Sequence, residues 1–147
     1  MDATEARRRA DSINDLGIEL QEQDRWDDAL GAYLAAAEAD PGYWAPWFNR
    51  CLIHKWRSQW CDVVRCATRA IDLEPPEPAA ALWNLGIAAS AVADWPLARR
   101  AWEGLGLALE PGDGPPSLPI GVTPIQLRHA ASGRYELVWT DRFDPVR

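Results

Sequence analysis

The chain has 147 residues, 48% of them hydrophobic and 25% charged, a balance that builds a core and excludes a disordered polymer. Its net charge is −7, and residues 1–43, with 11 acidic and 4 basic side chains, carry that whole excess. No basic stripe is left to meet a phosphate backbone, so no nucleic acid is expected as partner. No run reaches the roughly 20 apolar residues that cross a bilayer, so no membrane partner is expected either; the longest candidate, Ala79–Ala93, is too short and contains Asn84. The opening MDATEARRRA has no apolar segment behind its arginines and does not read as a secretory signal. Three cysteines form no disulfide framework and point to a reducing cytoplasm. One lysine stands against 14 arginines, the usage of a GC-rich and by that sign bacterial genome.

In chain order, Ile13, Leu16 and Leu20 follow helical spacing and predict a helix near 11–22. Ala29, Tyr33 and Ala36 predict a second near 26–38, which Pro41 stops. Two more are expected near 43–57 and 60–73, closed by Pro75, and a last pair near 78–92 and 95–109. The pattern repeats. Pro41 and Pro75 are 34 residues apart, as are Trp26 and Trp60, and Trp95 follows 35 later. Leu16-Gly17 returns as Leu85-Gly86, and Ala29, Val63 and Ala98 each stand three residues after one of those tryptophans. Small residues such as Gly17, Ala29 and Ala36 let paired helices approach closely. A helical hairpin cannot bury its apolar face alone, so such hairpins must stack.

The remainder differs in kind. PGDGPPSLPIGVTP carries five prolines in fourteen residues and favours extended chain. Two short runs, Ile125–His129 and Arg134–Trp139, flank Ala-Ala-Ser-Gly and read as a β-hairpin. The ending DRFDPVR reads as one that stops short of a larger β element.

This repeat resembles the tetratricopeptide repeat, a 34-residue helix–turn–helix. Leu16, Gly17, Leu20, Ala29, Tyr33, Ala36 and Pro41 stand at its signature positions in the first unit. The resemblance implies a mainly α fold: an α-α superhelix of three such repeats over residues 1–111, with units at about 10–43, 44–77 and 79–111. A proline-rich segment and β-hairpin extension follow at 112–147. The second unit departs most. Arg50 replaces a core leucine, Cys51 a glycine and His54 a large apolar residue, and Ala67 replaces the aromatic seen as Tyr33 and Trp102. One reading is functional, with Arg50 resting on an aromatic face. The other is repacking, with Ala67 making room for what Arg50 and His54 bring.

In that family the first helix of each unit lines a concave groove. By resemblance the groove presents Asn14 and Ile18, then Phe48, Asn49, Leu52, Lys55 and Trp56, then Trp83, Asn84 and Ile87. Asp11, Asp15, Glu19 and Glu22 form an acidic patch at one end. The expected function is a non-enzymatic scaffold that binds a protein or peptide segment there. Pro115–Leu127 of the same chain is a competing occupant. Clamping of a chaperone tail is disfavoured, because the family's basic positions read Asn14, Ala80 and Asn84 here and only Asn49 agrees. Two alternatives are neutralisation of a basic partner by the acidic first repeat, as in antitoxin or immunity proteins, and self-assembly into homo-oligomers. Trp26, Trp60 and Trp95 share one repeat position and read as packing between helices, whereas Trp44, Trp56 and Trp83 are expected to be exposed.

No catalytic, cofactor or metal site is expected. His54 and His129 are the only histidines, and no nucleophile elbow, phosphate loop or HExxH occurs. Gly104-Leu105-Gly106 falls inside a predicted helix. Cys51, His54, Cys61 and Cys66 match no zinc-knuckle spacing.

Overall fold

The structure is a computed structural model that describes residues 1–116, the backbone of 126–129 and 135–138, and residues 145–147. Six helices pack in adjacent pairs: α1 (Ala3–Glu22) on α2 (Trp26–Ala39), α3 (Ala45–Trp56) on α4 (Trp60–Asp72), and α5 (Ala79–Ala91) on α6 (Trp95–Gly104). Each pair also packs on the next, α2 on α3 and α4 on α5. The elements follow the predicted order with two differences at the ends. The first helix begins at Ala3 rather than near 11, because Asp2 caps it by accepting from the Glu5 amide at 2.8 Å and ATEARRRA is rich in helix formers. The last ends at Gly104 rather than near 109. The Leu107 amide bonds back to the Trp102 carbonyl and Gly106 takes a φ of 83°, so the glycine-rich stretch is a helix terminus.

The turns inside the three pairs are built alike. Asp24, Ser58 and Ala93 have φ of 58°, 55° and 59°, and the next amide reaches back to the carbonyl of Leu20, His54 or Ala89 at 2.9 Å each. This closure turns the chain sharply before each repeat-position tryptophan, and it normally takes glycine, which none of these three positions has.

Within the outer pairs, close approach is enforced by interlock. A Cβ at Gly17 would stand 2.5 Å from Tyr33 Cε1, and one at Gly86 2.7 Å from Trp102 Cε2. Tyr33 and Trp102 are both wholly buried. The middle pair exchanges the volumes, setting Cys51 and Ala67 in one buried cluster with Val63, Cys66, Leu85, Ala88 and Ala101. The space left by Ala67 is therefore filled by Cys51 and neighbouring apolar side chains. Arg50 and His54 do not enter it: Arg50 lies over the Trp47 ring at 4.8 Å, and His54 Nδ1 meets Gln59 Oε1 at 2.8 Å. Leu16, although at a signature position, is 49% exposed.

After α6, Arg99 ties the chain down by donating to the carbonyls of Glu110 and Gly114 at 2.6 and 2.8 Å. The expected proline-rich stretch lies mostly outside the described residues, as does the turn expected between the two short runs. The backbones of Gln126–His129 and Tyr135–Val138 pair antiparallel, Leu127 opposite Leu137. Among the described residues no helix is long and apolar enough to cross a membrane.

Candidate functional site

α1, α3 and α5 each carry a buried asparagine, Asn14, Asn49 and Asn84, 35 residues apart. A buried carboxamide must find partners for two donor hydrogens and an oxygen. Asn49 finds them in two places. One hydrogen goes to Asn14 Oδ1 at 2.9 Å; the other goes to the main-chain carbonyl of Val146 at 2.8 Å, while Asn49 Oδ1 accepts from the Val146 amide at 2.6 Å. Asn14 Nδ2 donates to that same carbonyl at 2.9 Å. A residue turns its N–H and C=O to one side only when extended, so the Asn49 carboxamide pairs with Val146 as one residue of a neighbouring strand would. Such pairing reads main chain and is indifferent to the side chain that projects from it.

The Val146 side chain packs beside Trp44 and Phe48, against the clusters that contain Leu52, Ala81, Tyr43 and Ala45. Arg147 then reaches the acidic end of α1, with Nη1 3.6 Å from Asp15 and Nη2 4.0 Å from Glu22. Both acids are half-exposed or more, so these pairs steer and orient more than they stabilise. Open space flanks the segment on both sides. A cavity of about 580 Å³ is lined by Ile18, Trp26, Ile53, Trp56, Pro145 and Arg147. Another of about 310 Å³ is lined by Trp44, Phe48, Pro76, Ala80, Ala81 and Val146.

The expected site residues do not all share one place. Asn14, Ile18, Phe48, Asn49 and Trp56 gather around residues 145–147 or the cavities beside them. Lys55 and Asn84 form a separate buried pair, with Lys55 Nζ donating to Asn84 Oδ1 at 3.0 Å. Asn84 Nδ2 meets no nitrogen or oxygen acceptor among the described residues and lies towards the Cys51 thiol. Leu52 is buried with Phe48, and Ile87 packs with Ala98 and Trp102 beneath Trp83, whose ring meets Trp102 edge-on at 5.3 Å. Asp11 lies beside the Tyr43 hydroxyl, which burial, with that carboxylate next to it, pushes well above the usual phenol range, and Glu19 is exposed on α1. Burial does the same to Tyr33, whose hydroxyl donates to Gln21 Oε1 at 2.8 Å beside Glu22.

Trp26, Ile53 and the 145–147 segment were not expected at this site. Trp26 meets Trp56 edge-on at 5.9 Å while lining the larger cavity, so its ring belongs to the opening as well as to the packing between helices. The asparagine spacing was the available signal for the rest. Among the described residues no three His, Cys, Asp or Glu side chains converge as metal ligands.

No family model matches the sequence, and no curated protein matches it. Among solved structures, the chain is similar to the "N-terminal domain of stress-induced protein-1 (STI-1) from C.elegans", with a TM-score of 0.63 and 20% identity over 71% of this chain and 86% of that one. An identity that low speaks to fold alone, and together with the paired helices it makes this a tetratricopeptide-like array.

Proposed function

We propose that the chain is a non-enzymatic scaffold that binds an extended protein segment along the face made by α1, α3 and α5. Residues 1–111 would be the binding array and 112–147 an extension of it, with Asn14, Ile18, Phe48, Asn49, Leu52, Lys55, Trp56, Trp83, Asn84 and Ile87 forming or backing the groove. The observation that carries this reading is the hydrogen-bonding of Asn14 and Asn49 to the main chain of Val146. Carboxamides that are buried and aimed at peptide backbone, between apolar hollows, suit β-type recognition of an extended ligand. Neutralisation of a basic partner by Asp11, Asp15, Glu19 and Glu22 is the second reading. The ion pairs of Arg147 with Asp15 and Glu22 favour it, and binding of that kind would fall steeply with salt.

Selection of peptides from a random displayed library tests the first reading. Segments enriched on the chain should bind an Asn49→Leu variant at least tenfold more weakly, with unchanged helical circular dichroism. Equal binding by the variant would refute it.

A further inference from the structure

The segment Pro145–Val146–Arg147 shows more than that the groove accepts backbone. It presents a specific order of chemistry along the groove. The branched aliphatic side chain of Val146 packs beside Trp44 and Phe48. The next residue, Arg147, places its guanidinium by Asp15 and Glu22. Pro145 borders the larger cavity; its ring holds its own φ and biases the residue before it towards extended chain, which lowers the ordering entropy lost on docking.

The surroundings match that order. Residues 1–43 hold the entire net negative charge of the protein, and two of those acids stand where the arginine lies. The apolar clusters stand where the valine lies. Cavities of about 580 Å³, bordered by Pro145 and Arg147, and about 310 Å³, bordered by Val146, lie beside the segment, so bulkier side chains than these three have room there.

We infer that residues 145–147 are an internal stand-in for the ligand: the partner is an extended polypeptide carrying a branched aliphatic residue followed directly by arginine or lysine, and it enters by displacing this segment. The inference rests on the groove reading above and adds the ligand's chemistry and its competitor. The asparagine bonds and the aliphatic contact are part-buried and carry no net charge, so salt touches them little; the pairing of the basic residue is exposed and screened within roughly 8–10 Å at physiological ionic strength.

The test titrates a fluorescent peptide with blocked ends, Gly-Ser-Asp-Pro-Val-Arg-Gly-Ser, into three proteins: the intact chain, a chain lacking residues 145–147, and Val146→Asp, which keeps the length but drives a charge into the apolar contact. A companion peptide replaces the arginine by glutamate. The first peptide should bind both altered chains at least tenfold more tightly than the intact one. The glutamate peptide should bind the shortened chain at least tenfold more weakly than its parent at low salt, with that contrast shrinking at 0.5 M NaCl. Equal affinity for intact and altered chains overturns the inference, because the segment is then no competitor. Equal affinity for the two peptides at low salt overturns the basic preference. Dimers of the intact chain that disappear when 145–147 is removed also overturn it, since a second copy is then the occupant. If the parent peptide fails on the shortened chain while library-selected segments still bind it through Asn49, this inference falls and the groove reading stands. If selected segments are indifferent to Asn49→Leu, the groove reading itself falls.

Discussion

Asn49→Ala offers a quantitative check on how residues 145–147 are held. Asn49 makes two hydrogen bonds to Val146, at 2.8 and 2.6 Å, and one to Asn14, at 2.9 Å, and is wholly buried. A net hydrogen bond is worth about 0.5–1.5 kcal/mol, so the two bonds to Val146 amount to about 1–3 kcal/mol. The bond to Asn14 is lost whether or not the segment is present. The substitution should therefore destabilise the intact chain by about 1–3 kcal/mol more than it destabilises a chain lacking 145–147. Urea unfolding of the four proteins, followed by far-ultraviolet circular dichroism, closes this double-mutant cycle. In parallel the Val146 amide should lose its protection from hydrogen exchange in Asn49→Ala. Independent sites add to within about 0.5 kcal/mol, so an effect equal within that margin in both backgrounds would refute the assigned geometry.

Three further outcomes follow from the packing and the turns. Gly86→Ala should lower stability by up to about 2 kcal/mol, because overpacking against the buried Trp102 ring at about 1–3 kcal/mol outweighs a helix-propensity gain of about 1; Gly31→Ala, where a Cβ meets nothing within 4 Å, should raise it by up to about 1, and thermal melts compare the two. Ala93→Gly should stabilise by about 0.5–1 kcal/mol in urea unfolding, since relief of a left-handed alanine, about 1–2 kcal/mol, exceeds the added freedom of the unfolded chain. Burial holds the phenols of Tyr33 and Tyr43 and the thiol of Cys51 protonated in the folded state to higher pH than in the unfolded chain. The unfolded state therefore binds fewer protons above pH about 9–10, and stability should be level below that range and fall as pH rises through it, by up to about 1.4 kcal/mol per unit for each group. A flat alkaline limb in pH-dependent unfolding would contradict this.

The repeat was legible because its signals are local and periodic. Tryptophan and proline spacing placed five of the six helix starts within about two residues, and the paired Gly17–Tyr33 and Gly86–Trp102 positions sit where the signature puts them. What escaped notice depends on tertiary choice. For Arg50 the residue types allowed an aromatic face or repacking with Ala67, and only the packed structure sets its guanidinium over Trp47. Leu16 fits the helical period yet stands 49% exposed. The left-handed turns were hidden because aspartate, serine and alanine replace the glycine that usually marks them. At the candidate site, Asn14 and Asn49 were picked out by repeat position, but their joint target was not. Pro115–Leu127, read as a competing occupant of the groove, lies mostly outside the described residues; Val146 is 97 residues from Asn49, and no short-range pattern reports a partnership so distant.

Tethering gives residues 145–147 a property no free peptide shares. A segment joined to its own groove through the same chain sits at an effective concentration that can reach about millimolar and does not fall as the protein is diluted. A partner circulating at micromolar levels cannot win by mass action through a matching set of contacts. It must reach into the hollows beside Trp56 and Ala80 that residues 145–147 border, or arrive with several copies of its motif. The groove thus behaves as a threshold, closed to weak passers-by and open to ligands that offer more than the chain offers itself.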